Sequence, residues 1–182
     1  MNKKLFISFA MAAMLLSACN SSEKKAQPAA DEAATEVTAE EQKAEDVIAD
    51  FTLPDVDGKD VSAYSVIKAN KLTIVDFWAS WCPPCVAEIP NIKKIYDEYN
   101  AKGLGILGVS LDKEADAWKG AIKKYEMTWN HVSDLKGWEN AAAQQFGVQS
   151  IPFMMVVDAD GKVVAKDVRG EALKEVIENY FK

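Results

Sequence analysis

The sequence predicts an α/β sandwich built on a mixed sheet, parallel in its first half, with helices covering both faces. Three observations predict it. Leu72 to Trp78 is a nearly continuous apolar run with β-branched members, the pattern of a strand buried on both faces. Pro83 to about Tyr99 then sets Val86, Ile89, Ile92, Ile95, Tyr96 and Tyr99 near one helical stripe. A second apolar run, Leu104 to Leu111, follows. Strand, helix and strand succeed one another as in a crossover unit with parallel strands.

The other elements follow in chain order. Lys3 and Lys4 precede an apolar run from Leu5 to Leu16, and Ser17, Ala18 and Cys19 come next. A charged start, a short apolar core and small residues before a cut site describe a secretory signal over residues 1–18. A transmembrane helix is the competing reading, but the run is short for about 30 Å of hydrocarbon. Leu16–Ser17–Ala18–Cys19 resembles a bacterial lipobox, which implies lipid on Cys19; a plain signal with a chance cysteine is the alternative. Residues 19–46 are rich in Ala, Glu, Ser, Thr and Gln without an aromatic residue, and read as a mostly disordered acidic tether. The folded domain is expected over 47–182.

Within that domain, Phe51–Pro54 and Lys59–Val61 flank Asp57–Gly58, a hairpin signal. After the crossover unit, Asp112 is placed to cap a helix carrying Trp118, Ala121, Ile122 and Tyr125 on one stripe. A short helix is expected around Glu139 to Phe146. Phe153–Val157 and Lys162–Val168 form strands around an Asp160–Gly161 turn, and Glu171–Phe181 closes the chain as an amphipathic helix. Trp118 reads as core, Trp129 and Trp138 fall outside any pattern, and His131 reads as a loop or packing residue.

The net charge of −7 is concentrated, with nine acids against three bases between Asn20 and Asp50. No block of Lys and Arg offers a footprint for phosphates, which argues against nucleic acid as a partner. With Cys19 set aside, Cys82 and Cys85 are a single vicinal pair, too few for a disulfide-stapled scaffold. A structural zinc site needs four ligands, and two cysteines with His131 fall short, so neither metal nor cofactor is expected. A purely structural disulfide closing so short a loop would restrict the unfolded chain only modestly.

The pair sits where a buried strand ends and a helix begins. A helix N-terminus presents free N–H groups and about half a positive charge, which stabilise a thiolate. Pro83 and Pro84 fit the first turn because no donor is lost there. A cysteine so placed ionises more readily than the ordinary thiol, which titrates near about 8.5. These are the requirements of thiol–disulfide exchange.

Val75–Asp76–Phe77–Trp78–Ala79–Ser80–Trp81–Cys82–Pro83–Pro84–Cys85 resembles the active-site strand and loop of the thioredoxin superfamily. Asp50–Asp55 with Asp57–Lys59, Glu88–Ile89–Pro90, Val148–Pro152, Asp158–Lys162 and Arg169–Gly170 are similar to its TlpA/ResA-like branch. The resemblance implies a thioredoxin-like fold with an extra N-terminal β-hairpin. It implies Cys82 as the more exposed, attacking thiolate and Cys85 as the resolving thiol. Pro152 matches the family's cis-proline, and the backbone at Ile151 matches the position that pairs with a partner strand. Trp81 and Pro83 would frame the substrate. Asp76, interrupting an apolar strand, would have a raised pKa and take a proton from Cys85; an acid at the strand end reaching solvent or an ion pair is the alternative. Glu88 would tune the thiols, against the plainer reading of a solvated helix residue. Many members of this branch carry asparagine where Asp76 stands, so two acids compete for the proton.

The signal, lipobox and tether in succession are expected to make this an envelope lipoprotein facing the periplasm, and the resemblance implies that it reduces or exchanges disulfides in exported proteins, with apocytochrome c among candidate substrates and a membrane electron donor as partner. A thiol peroxidase of the peroxiredoxin type would share the hairpin but needs an activated lone cysteine. A non-catalytic binding lipoprotein would not need Cys82 and Cys85 intact.

Overall fold

The computed structural model describes residues 47–182; the expected signal, Cys19 and the tether lie outside the described residues. The first elements are an antiparallel hairpin, β1 (Thr52–Pro54) and β2 (Asp60–Ser62). Its turn is held locally: Asp55 Oδ1 accepts from the amides of Asp57 at 2.8 Å and Lys59 at 2.9 Å, and Gly58 takes φ +82°. A short helix, α1 (Ala63–Ile67), follows at once.

The central sheet comprises β3 (Leu72–Trp78), β4 (Leu104–Ser110), β5 (Asn130–Val132), β6 (Phe153–Asp158) and β7 (Val163–Lys166), in the order β5-β4-β3-β6-β7. β3, β4 and β5 are parallel; β6 runs antiparallel to β3, and β7 runs antiparallel to β6, so β7 points the same way as β3. Every residue of β3 and β4 is buried, as their apolar runs require. The hairpin docks on the β5 edge, where Ser133 N donates to Pro54 O at 2.9 Å. That contact covers the backbone groups of an otherwise open edge.

The helices are α2 (Pro83–Tyr99), α3 (Ala115–Lys124), α4 (Ala141–Gln145) and α5 (Gly170–Tyr180). Their long members are apolar on one side: Ile89, Ile92, Ile95 and Tyr99 of α2, Leu173 and Ile177 of α5 are buried. Tyr99 meets Phe181 just beyond α5, with ring centroids 5.4 Å apart. Tyr96 of α2 meets Trp129, and Trp129 meets His131 of β5. The register aligns Asp76, Gly108 and His131 in one row across β3, β4 and β5, so these residues share the face beneath α2. On the opposite face, Phe77 packs against Phe146, which also meets Phe51.

Gly108 is required in that row. A Cβ there would lie 2.6 Å from His131 Nδ1 and 3.2 Å from Trp78 Nε1, so the imidazole and indole occupy the space a side chain would fill.

The structure departs from the sequence reading in particular places. Asp112 does not cap α3, whose N-cap is Glu114; the Asp112 carboxylate turns back toward the strand ends instead. The expected short helix near Glu139–Phe146 is a 3₁₀ turn (Gly137–Glu139) followed by α4. The last strand is shorter than Lys162–Val168: Asp167 still donates to Met154 O at 2.8 Å, but at φ +51° it ends the extended run. Neither α1 nor β5 is expected from pattern.

His131 is 5% exposed and neither ring nitrogen closes a hydrogen bond of good geometry. Burial pulls its pKa down to about 4, with the Met127 carbonyl opposing. The unfolded state therefore binds the proton more readily, and stability falls as pH drops from the ordinary histidine range toward about 4. His131→Gln removes this titration. Between about pH 7 and about pH 4.5 it should lose about 2 kcal/mol less stability than the wild type by urea unfolding. An identical loss in both proteins would mean that His131 charges without penalty in the fold.

Candidate active site

The site begins where β3 leaves the sheet. Leu111 N donates to Trp78 O at 2.8 Å, and Cys82 N donates to Ala79 O at 3.2 Å, closing the turn that carries Ser80 and Trp81. Cys82 takes the N-cap of α2, with Pro83 and Pro84 in the first helical positions. The Cys85 amide, one of the free donors of that first turn, points at Cys82 Sγ at 3.2 Å.

Cys82 and Cys85 are joined in a disulfide, with S–S 2.04 Å and Cα–Cα 5.3 Å. They are 4% and 3% exposed, so in this oxidised form Cys82 is not the distinctly more exposed member. The Ile151–Pro152 segment stands against it. The asymmetry lies in their neighbours: Cys82 Sγ receives the Cys85 amide and lies 3.8 Å from Ile151 O. A disulfide sulfur has no proton to donate, so the latter is a contact here. A reduced Cys82 could donate to that carbonyl.

The register explains why residues so distant in sequence meet. β6 runs antiparallel to β3 with Phe153 opposite Phe77, so the start of β6 lies beside the end of β3. Ile151 and Pro152, immediately before β6, thereby reach Cys82, immediately beyond β3. The Ile151–Pro152 bond is cis, and Pro152 is buried. Trp81 and Pro83, which flank Cys82 in the chain, are exposed.

Asp76 lies deeper, 5% exposed, with Oδ1 lacking a hydrogen-bond partner. Burial first and the nearby Glu88 charge second raise its pKa to about 7. The plain alternative of a solvent-reaching acid does not hold for Asp76. Nor is Glu88 a freely solvated helix residue. Its Oε1 accepts from Gly170 N at 2.7 Å and from Asn91 Nδ2 at 2.8 Å, which ties α2 to the start of α5. Cys82, Cys85, Trp81, Pro83, Ile151 and Pro152 are thus gathered at one end of the sheet, with Asp76 and Glu88 behind. Cys19 is outside the described residues.

Sequence reasoning missed a polar support under the loop. Asp112, 1% exposed, accepts from Ser80 N at 3.0 Å, Ser80 Oγ at 2.6 Å and Ser110 Oγ at 2.7 Å. Those hydrogen bonds replace the water that burial takes from the group. It also missed Trp138, whose ring lies 6.3 Å from that of Trp81. An Asp two residues after a buried strand is a weak signal in sequence, and Trp138 carries none.

Residues 43–179 match the family model described as Redoxin. The thiol-disulfide oxidoreductase ResA of Bacillus thuringiensis subsp. konkukian is 32% identical over 132 residues, covering 72% of this chain and 73% of that protein. Among solved structures, a thiol-disulfide oxidoreductase from Bacteroides fragilis superposes with TM-score 0.69 at 32% identity, covering 74% of this chain and 98% of that one. The thioredoxin domain of a thiol-disulfide oxidoreductase from Bacteroides vulgatus gives TM-score 0.68 at 32% identity, over 75% and 96% of the two chains. The chain belongs to the redoxin family and, within it, to the ResA-like thiol–disulfide oxidoreductases of the thioredoxin superfamily.

Proposed function

We propose that this oxidoreductase acts as a reductase of disulfides in exported proteins, with Cys82 as nucleophile and Cys85 as resolving thiol. The observation that carries it is the Cys82–Cys85 disulfide at the α2 N-terminus, against Ile151–Pro152 and above a buried Asp76. In the dithiol form the Cys82 thiolate attacks one sulfur of a substrate disulfide. A Cys82–substrate bond forms, the substrate S–S bond breaks, and the departing thiolate is protonated. Asp76, ionised, takes the proton of Cys85, whose sulfur then attacks Cys82. The intramolecular disulfide reforms and the second substrate thiolate leaves, so two electrons have passed to the substrate. An electron donor must then reduce the pair again.

Glu88 favours the protonated form of Asp76 through its charge, so it tunes that proton transfer. Trp81, Pro83, Ile151 and Pro152 would bind the substrate segment, the Ile151 backbone by strand addition. Pro83 and Pro84 put no cation between the cysteines, which favours a reductant over a strong oxidant. A lone peroxidatic cysteine is a poor match for a cysteine bonded three residues away.

The setting is read from the N-terminus. The charged start, apolar run and Leu16–Cys19 stretch support export and a lipid on Cys19, with residues 19–46 as a tether to the membrane of the cell envelope. No helix among the described residues is long and apolar enough to cross a membrane. The domain would then face the periplasm, drawing electrons from a membrane donor. Haem-attachment cysteines of an apocytochrome c belong to the substrate class.

Equilibrating the chain with glutathione and dithiothreitol buffers tests the direction. A midpoint at or below about −230 mV is expected for the reductase; one above about −150 mV makes it an oxidant or isomerase.

A further inference from the structure

The exchange chemistry leaves Trp138 without a part, yet its placement is costly and specific. Large apolar side chains are rarely left in water without reason when they cluster. Trp81 is 52% exposed and Trp138 42% exposed, and their rings stand 6.3 Å apart at 58°. At that inclination neither indole covers the other. Both rings stay partly open to solvent, and Trp81 directly precedes Cys82, which brings the pair to the disulfide through Trp81.

The pair is exposed but not loose. Trp138 O accepts from Gln144 Nε2 at 2.7 Å. Asp134 braces its loop, accepting from Lys136 N, Asn140 Nδ2 and Ala141 N. Gly137, at φ +61°, lets the chain turn where a Cβ would lie 2.6 Å from Lys113 Cε. The Trp81 turn is held by the Ser80–Asp112 bonds. One buried chain of hydroxyls joins the two loops: Asp112 accepts from Ser110 Oγ, Ser110 O accepts from Ser133 Oγ, and Ser133 Oγ accepts from Leu135 N. Rigid aromatic rings give contact area at low entropic cost, which is how recognition surfaces are built.

We infer that Trp81 and Trp138 form an aromatic platform that binds an apolar side chain, aromatic above all, flanking the cysteine of the substrate polypeptide. The inference rests on the exchange reading above, which requires a partner's sulfur at Cys82. A partner strand running past Ile151 and Pro152 carries its neighbouring side chains across this end of the sheet, and the platform lies next to the sulfur. A small disulfide needs no such surface. Trp138 is a specificity-determining residue in this arrangement, and it leaves the sulfur chemistry to the cysteines.

The test uses the full chain, reduced beforehand, with two disulfide-linked peptides that differ only in a tryptophan or a serine beside the cysteine. Hydroxyethyl disulfide serves as the small substrate. The wild type is expected to favour the tryptophan peptide by about tenfold in kcat/KM, carried by KM. Trp138→Ala should reduce that ratio to about twofold or less, and Trp138→Phe should keep most of it. Because the readout is a ratio within one protein, general damage cancels. A wild-type ratio near one, or a ratio unmoved by Trp138→Ala, overturns the platform. A wild type that turns over hydroxyethyl disulfide but shows no preference overturns it alone. A wild type inert toward all three removes the exchange reading, and the platform with it.

Discussion

Cys82→Ser is expected to abolish exchange with every disulfide substrate, whereas Cys85→Ser is expected to preserve the first half of the reaction and accumulate a mixed disulfide. The asymmetry follows from the helix terminus. Cys82 occupies the N-cap, where the Cys85 amide points at its sulfur and the Ile151 carbonyl lies 3.8 Å away. Cys85 is one turn inside α2 and buried beneath it. A nucleophile needs an ionised sulfur that a partner can approach, and the helix N-terminus favours the thiolate at Cys82. The resolving step needs only reach along the first turn, which the Cα–Cα separation of 5.3 Å already provides. With Cys85→Ser the folded domain holds no second thiol to break the covalent complex. Incubation with a disulfide-linked peptide, then mass spectrometry without reductant, should find the peptide's mass added to Cys82. Turnover in Cys82→Ser would move the nucleophile to Cys85, and the absence of any adduct in Cys85→Ser would remove the two-step route.

Asp76→Asn is expected to stabilise the disulfide-bonded protein above neutral pH while slowing resolution of the mixed disulfide. Asp76 is buried, one oxygen lacks a partner, and its pKa is raised to about 7 by burial first and by Glu88 second. For an acid with a raised folded pKa, the native state holds the proton more tightly than the unfolded chain. Stability is highest below the ordinary aspartate range and is lost as pH rises through about 7. Asparagine escapes that loss. Its stabilisation relative to the wild type should grow by about 4 kcal/mol between about pH 4 and about pH 8, followed by urea unfolding. Activity should move the other way. A lost general base typically costs about a hundredfold or more in the step it serves, and the deficit should shrink as pH rises and Cys85 ionises unaided. A pH-independent stability difference would mean that Asp76 stays charged in the fold. An unchanged resolution rate would pass the proton to Glu88 or to water.

Much of this was legible in residue pattern. Leu72–Trp78 and Pro83–Tyr99 were read with the boundaries observed, because a buried central strand and a long amphipathic helix each carry strong periodic signals. The redox pair was legible for the same reason: its chemistry depends on the junction between those two elements. The departures share a cause. α1 is five residues long, and its first amides are satisfied from the hairpin segment, Ala63 N by Phe51 O and Tyr64 N by Asp50 Oδ1. β5 has only three residues and exists because β4 pairs with one edge and Pro54 and Asp55 meet the other. Neither has a periodicity of its own.

Asp112 shows how local rules mislead near a site. Its position after a strand and before a helix is that of a cap, but Ser80, 32 residues earlier, offers an amide and a hydroxyl that hold its carboxylate. The same holds for Trp138, which meets Trp81 only because the loops leaving β3 and β5 end on one side of the sheet. By itself the sequence determined the fold class, the central strand and helix, and the two sulfurs, since these rest on interactions between residues near one another in the chain. Tertiary structure alone decided the desolvation that lifts Asp76, the Asp112 support, the seat of His131 over Gly108 and the meeting of the two indoles. Each of those depends on register between strands and on what is excluded from water, quantities that no local pattern encodes.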